Sequence, residues 1–165
     1  MKIREATFDD IISINEIYNQ SIPSKSSTAD IFPVSISERK QWLKDHQKQN
    51  YPVFVAEINE EVIGWISLSP YRPGRLALKQ TAEVSYFIKK DFQKTGIGTK
   101  LMNYVIEKSP EYGFKNIFAI LLDRNIASIK LLEKMEFEKW AFLPKVANFD
   151  GTECGQFYYG KRICD

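Results

Sequence analysis

The stretch Gln93-Lys94-Thr95-Gly96-Ile97-Gly98-Thr99-Lys100 constrains this chain more than any other. Before it, Ala82-Glu83-Val84-Ser85-Tyr86-Phe87-Ile88 is mostly apolar, β-branched or aromatic, which predicts a strand. After it, Ile97, Leu101, Tyr104 and Val105 recur at helical spacing. The chain therefore leaves a strand, crosses a short loop with two glycines and enters a helix. Glycines there permit positive φ and close approach of a ligand. The free N–H groups of the first helical turn lie at the positive end of the helix dipole. That combination suits an anion, most naturally a phosphate. The stretch is not a P-loop, since no Gly-Lys-Ser/Thr follows at the required spacing, and Leu101 stands where a dinucleotide fingerprint needs its third glycine. Read alone, Gly-x-Gly also serves as a plain turn, so the rest of the chain must decide.

The 165 residues suit one domain, spanning 1–165, with a sizeable core. A net charge of +2, from 23 basic and 21 acidic residues, leaves no footprint for nucleic acid or for a membrane surface. No apolar run approaches the ~18 residues of a membrane span. No long apolar region follows the first basic residue, so a cytoplasmic protein is expected. Cys154 and Cys164 read as two reduced thiols. His46 has no Cys or His neighbour in sequence, so no metal site is expected.

Lys2 to Thr7 alternates as a short strand, and Thr7 with Asp9 and Asp10 opens a helix whose stripe is Ile11, Ile14, Ile17 and Tyr18. Residues 20–32 read as a loop. Ser35-Ile36-Ser37-Glu38 is a capping box before a second helix with Trp42 on its buried side. Tyr51 to Ile58 and Val62 to Leu68 form a hairpin around Asn59-Glu60-Glu61, and Gly64 predicts a bulge or a close backbone approach. Ser69 to Arg75 reads as a loop leading into the Glu83 strand. Gly113 closes the helix after the glycine loop or its tail, and Asn116 to Leu122 is a continuous apolar strand. Asn125 caps a helix reaching Met135. Phe137 to Phe142 and Gln156 to Ile163 are two final strands around Asp150-Gly151. The order β-α-α-β-β-β-α-β-α-β-β predicts an α+β protein.

Several of these stretches carry a family resemblance. Gln93-x-x-Gly96-x-Gly98 resembles the pyrophosphate loop of the GNAT superfamily of acetyl-CoA-dependent N-acetyltransferases. Ile3-Arg4 with Ala6 and Asp10, then Ile17-Tyr18-Asn19, resemble the start of its phosphinothricin acetyltransferase branch. Thr81-Ala82-Glu83-Val84-Ser85 resembles that branch's Thr-x-Glu-x-Ser strand, and Asn125-Ile126-Ala127-Ser128 the opening of the superfamily's last helix. Pro144-Lys145 and the Asp150-Gly151 turn fall at the branch's substrate-side loop. The resemblance implies the GNAT acyltransferase fold, a mixed, twisted sheet flanked by helices. In it the Glu83 strand and the Asn116 strand splay apart and acetyl-CoA enters the gap.

The same resemblance implies the site. The backbone of Phe87 and Ile88 meets the pantetheine arm, and Gln93 with the amides of Lys94, Thr95, Gly96, Ile97, Gly98 and Thr99 holds the pyrophosphate. Asn125 reaches the thiol end, and Glu83 is the general base. Arg72 and Arg75 are candidates for a substrate carboxylate, which a guanidinium grips in a bidentate way; Tyr18, Asn19 and Thr28 are candidates for the pocket wall. Each has a plainer alternative: an edge-strand salt bridge for Glu83, solvated loop arginines, and packing or turn roles for the other three. Two departures stand out. Leu132 occupies the position seven after Asn125 where the superfamily often has a proton-donating Tyr, and Glu136 occupies the position of a helix-capping Gly. The expected activity is acetyl transfer to the primary amine of a small amino-acid-like acceptor of the phosphinothricin, methionine sulfoximine or methionine sulfone type, by a homodimer. The alternatives are acetylation of a protein N-terminus or a polyamine, and a non-catalytic acyl-CoA-binding sensor.

Overall fold

The computed structural model describes residues 1–165. Seven strands form one sheet: β1 (Lys2–Glu5), β2 (Val53–Ile58), β3 (Glu61–Pro70), β4 (Thr81–Ile88), β5 (Asn116–Leu122), β6 (Glu138–Phe149) and β7 (Thr152–Arg162). Four helices flank it: α1 (Ile11–Asn19), α2 (Ile36–Lys48), α3 (Ile97–Lys108) and α4 (Ile126–Lys134). The strand order is β1-β2-β3-β4-β5-β7-β6, and only β4 and β5 run parallel. This is the order of elements and the mixed sheet of the GNAT fold.

Both faces of the sheet are covered, which explains why β2 and β3 read as continuous apolar runs rather than alternating ones. On one face Ile11, Ile14 and Ile17 of α1 and Leu43 of α2 pack on Val53, Val55, Val62 and Trp65. On the other, Ile97, Leu101, Met102 and Val105 of α3 and Leu132 of α4 pack on Phe54, Ile66, Val84 and Ile117. Gly64 reconciles the two faces. The β2–β3 register shifts opposite it, between Ala56 and Glu57, and a Cβ on Gly64 would stand 3.2 Å from the Phe87 carbonyl oxygen. Both expectations for this glycine are met.

Local signals act where the spacing placed them. Ser35 Oγ accepts from the Glu38 amide at 3.2 Å while Glu38 accepts from the Ser35 amide at 2.8 Å, which closes the capping box of α2. Asn59 and Glu60 both have positive φ, so the β2–β3 hairpin turns on two non-glycine residues. Gly113 takes φ 83° after a short 3-10 extension of α3. Both cysteines are free thiols.

Several boundaries differ from the sequence reading: β1 stops at Glu5 rather than Thr7 and β2 starts at Val53 rather than Tyr51. β3 runs on through Pro70, because Ser69 and Pro70 still pair with Glu83 and Ala82. β6 reaches Phe149 rather than Phe142, and β7 begins at Thr152 rather than Gln156. β6 is an edge strand, mostly exposed, and it tolerates Pro144 and a register shift between Leu143 and Ala147. Its composition therefore carries no strand alternation. No helix is long and apolar enough to cross a membrane.

Candidate active site

The sheet opens beside Glu83. β4 and β5 pair only through Thr81–Asn116, Ala82–Ile117 and Glu83–Phe118. Beyond Val84, whose amide closes the last bridge on Phe118, Ser85 to Ile88 have no partner in β5. The Lys89 amide donates to the Ile63 carbonyl at 2.9 Å, so the odd-numbered residues of β4 are the ones bonded to β3. The even-numbered residues turn their N–H and C=O groups into the gap. Tyr86 and Ile88 therefore offer backbone groups to a ligand, while those of Phe87 belong to the ladder with Trp65. This corrects the expectation for Phe87, whose backbone is already committed. The Ile88 carbonyl accepts from Gln20 Nε2 at 3.0 Å and from Gln93 Nε2 at 3.3 Å, so the Gln93 side chain ties the glycine loop to the end of β4.

The loop itself is built for an anion. Lys94 and Gly96 have φ of 61° and 86°, both left-handed. Gly96 is the N-cap of α3 and supplies no side-chain cap. The amides of Lys94, Thr95, Gly96, Ile97, Gly98 and Thr99 find no acceptor within the protein; the first helical bond is Lys100 N–H to the Gly96 carbonyl, at 3.1 Å. Six consecutive free N–H groups at a helix start form a concave donor surface of the kind that holds phosphates. Ile97, 5% exposed, pins this turn to the core. Gly98 differs from Gly96 in its reason for being glycine. Its φ is helical, and a Cβ there would meet Leu131 Cδ2 at 3.2 Å, so it sets the approach of α3 to α4.

Asn125 Oδ1 accepts from the Ser128 amide at 3.2 Å and caps α4. Its Nδ2 donates to no group of the protein. Leu132 lies in the core at 1% exposure.

Glu83 stands where β4 and β5 part. It forms no ion pair and no hydrogen bond with another side chain, so the salt-bridge alternative fails. Partial burial raises its pKa above the usual carboxylate value. Glu83, Ser85 and Phe87 share one face of β4. Across the sheet from Glu83 lies Ser69, whose hydroxyl is 3.0 Å from His46 Nε2. His46 Nδ1 sits 2.8 Å from the Trp42 carbonyl and must donate to it, so Nε2 accepts from Ser69. Burial lowers the His46 pKa, which keeps the ring neutral. On the β5 side, Phe118 opposite Glu83 stacks on Tyr71 at 4.6 Å and meets Trp140 edge-on at 5.0 Å. An aromatic wall thus adjoins the carboxyl.

The remaining candidates divide. Arg72 and Arg75 are exposed and unpaired, and stacked Tyr71 holds the start of their loop beside Phe118. Asn19 is a clamp: its amide donates to the Val34 carbonyl and accepts from the Val34 amide, both at 2.9 Å. One N–H and one lone pair of that amide remain, and Asn19 also lines a cavity beside Phe149 and Asp150. The Tyr18 hydroxyl bonds Thr28 at 2.7 Å and Asp30, so these side chains first of all fix the loop between α1 and α2. The Tyr18 ring meets Phe87 at 4.8 Å and so still borders the Glu83 face. Lys25 on the same loop pairs with Asp150 of the β6–β7 turn at 2.6 Å. A cavity of about 220 Å³ lies between these two segments, with Ile31, Pro33 and Phe149 in its wall.

Two features gave no sign in the sequence. Arg39, 5% exposed, lies 4.5 Å from the Tyr18 ring centre and 4.9 Å from that of Trp42, a cation–π brace between α1, α2 and the sheet. The Tyr86 hydroxyl is buried and has no hydrogen-bond partner. Neither belongs to a spaced motif, so only packing reveals them.

The profile of the family described as "Acetyltransferase (GNAT) family" matches residues 13–137. YwnH of Bacillus subtilis, provisionally named a phosphinothricin acetyltransferase, is 35% identical over 164 residues, with 99% of each chain covered. The L-methionine sulfoximine/L-methionine sulfone acetyltransferase of Pseudomonas aeruginosa is 30% identical over 87% of this chain and 84% of its own. Among solved structures, yncA from Salmonella typhimurium with its cofactor acetyl-CoA superposes with a TM-score of 0.94 at 27% identity, covering 100% of this chain and 95% of that one. With its sheet parting at Glu83 and its free-amide loop at the start of α3, the chain belongs to the GNAT acetyltransferase family.

Proposed function

We propose that this enzyme transfers acetyl from acetyl-CoA to the primary amine of a small amino-acid-like acceptor of the phosphinothricin, methionine sulfoximine or methionine sulfone type, with Glu83 as general base. The observation that carries the reading is Glu83 itself: half-buried, unpartnered, and placed where β4 and β5 separate. The Lys94–Thr99 amides fit a pyrophosphate and the even-numbered edge of β4 fits an amide-bearing arm. When bound, acetyl-CoA supplies the activated acyl group; this chain supplies positioning and proton removal. An amine near pKa ~10 arrives protonated and must lose a proton before attack. A carboxyl with a raised pKa is better matched to that task near neutral pH than an ordinary one. The aromatic wall of Tyr71, Phe118 and Trp140 offers an apolar surface for the acceptor's side chain, and Arg72 or Arg75 a partner for its carboxylate.

An unpaired basic loop beside the site disfavours a polyamine acceptor, and a free Glu83 disfavours a silent acyl-CoA sensor. A cytoplasmic homodimer belongs to the same reading; the exposed β6 edge with Trp140 and Phe142 is the surface a second copy would cover. The decisive experiment offers acetyl-CoA and a panel of amino-acid analogues, polyamines and peptide N-termini, and follows free-thiol release. Turnover confined to small amino-acid-like amines is expected. Turnover with polyamines or peptides alone overturns the acceptor class.

A further inference from the structure

The Tyr86 hydroxyl is the buried side-chain polar atom of this protein that lacks a hydrogen-bond partner. Alternation along β4 sends its ring away from Glu83 and into the core shared with α3 and α4. The ring edge comes within 3.9 Å of where a Cβ on Gly98 would stand. Ser128, on the first turn of α4, is the hydroxyl's polar neighbour: it lies close enough to offset part of the effect of burial on the hydroxyl, but not in the geometry of a formed hydrogen bond. The ring is therefore lodged by the first turn of α3, which opens from the glycine loop, and its oxygen lies near the first turn of α4. A buried hydroxyl without a partner destabilises a fold, and Phe would fill the same space without that cost. The position makes sense if a ligand brings the acceptor.

We propose that the Tyr86 hydroxyl donates a hydrogen bond to the sulfur of acetyl-CoA and stabilises it as the leaving thiolate, a contribution that apolar, buried Leu132 cannot make. The inference rests on the acetyl-transfer reading above. In that reaction the amine nitrogen bonds to the carbonyl carbon, the carbon–sulfur bond breaks, its electron pair goes to sulfur, and the amine proton goes to Glu83. Tyr86 keeps its own proton. Burial pushes the hydroxyl up to about 12, whereas a thiol titrates near ~8.5. Complete transfer to sulfur would be uphill by roughly three powers of ten, so a charge-assisted hydrogen bond is the chemistry this residue provides.

Tyr86→Phe keeps the ring and removes the oxygen. CoA is bound to the wild type and to the variant, and its thiol is titrated by thiolate ultraviolet absorbance. Loss of one hydrogen bond to a charged group should raise the bound thiol pKa by about one to two units. It should also lower kcat with the best acceptor by about ten- to a hundredfold. Affinity for CoA at a pH below the thiol titration should stay within a few-fold, and the ligand-free Tm should hold or rise. Equal thiol pKa values in the two proteins overturn the inference. So does a ligand-free variant of clearly lower Tm, which would show that the fold itself uses the hydroxyl. The titration needs no acceptor, so a thiol pKa that depends on Tyr86 in an enzyme that acetylates no amine would keep this inference and sink the transferase reading. Acetylation with a thiol pKa indifferent to Tyr86 would do the reverse.

Discussion

At the scale of single residues, Glu83 bears most of the chemistry and predicts two separate measurements. Glu83→Gln keeps size and removes basicity. General base catalysis contributes roughly 10²–10⁴-fold, so kcat near pH 7 should fall by that order while calorimetric affinity for acetyl-CoA is retained. The deficit should shrink at high pH, where the free amine forms unaided; a variant within a few-fold of wild type from pH 6 to 9 would return Glu83 to a structural role. The second measurement concerns stability. Burial raises the pKa of Glu83 in the folded state. The folded carboxyl thus holds its proton more tightly than the unfolded one. Stability falls as pH rises from the unfolded value to the folded one, and stays lowered above it. Glu83→Gln should therefore be more stable than wild type to urea at pH 7 and lose that advantage in acid. Asp10 has the opposite sign. Burial alone would raise its pKa, but the bidentate Arg4 pair at 2.7 and 2.8 Å and the Thr7 amide hold it below the usual value. That carboxylate supports the fold at neutral pH, where Glu83 weakens it, which is the contrast expected between a structural and a working acid.

At the scale of elements, α4 ends on a residue that chirality disfavours. Glu136 takes φ 60°, and the Phe137 amide closes the turn on the Leu132 carbonyl at 2.9 Å. An L-residue in that conformation costs about 1 kcal/mol or somewhat more relative to glycine. The Lys161 pair to Glu136 is 3.3 Å long with the carboxylate exposed, so it offsets little of that. Glu136→Gly should accordingly stabilise the protein by about 1 kcal/mol, read as a rise in urea midpoint at constant slope; unchanged or lower stability would show that the Lys161 contacts outweigh the strain. This cap, the α2 capping box, the two-residue β2–β3 turn and the glycine loop were all legible because each depends on residues within a few positions of one another. What stayed hidden depends on pairing between distant segments. Phe87 and Ile88 are equivalent as sequence; only the register with β3 shows which of them keeps its amide free. Asn19 reads as a polar residue near a pocket, and only the fold shows that Val34 also takes one donor and one acceptor of its amide. Arg39 and Tyr86 lie in no motif, and their significance comes from the rings or the missing partner around them.

At the scale of the whole molecule, two segments far apart in sequence present free backbone donors to one gap: the unpaired edge of β4 and the loop that opens α3. The parity of β4 makes this testable residue by residue. Phe87 and Ser85 have their amides in the β3 ladder whether or not a ligand is present, whereas Tyr86 and Ile88 face the gap. The amides of Lys94 to Thr99 have no protein acceptor at all. Unbonded amides exchange with solvent far faster than those of a packed ladder. Hydrogen exchange followed by NMR in the ligand-free protein should therefore show slow Ser85 and Phe87 beside faster Tyr86 and Ile88, and fast exchange across Lys94–Thr99. Saturating acetyl-CoA should slow the pyrophosphate-loop amides and those of Tyr86 or Ile88, and leave Phe87 nearly as it was apart from the uniform gain that any ligand of the folded state confers. Protection appearing at Phe87 in place of its even-numbered neighbours would mean that the arm lies along the other register. Protection confined to the loop would mean that the β4 edge takes no part in binding.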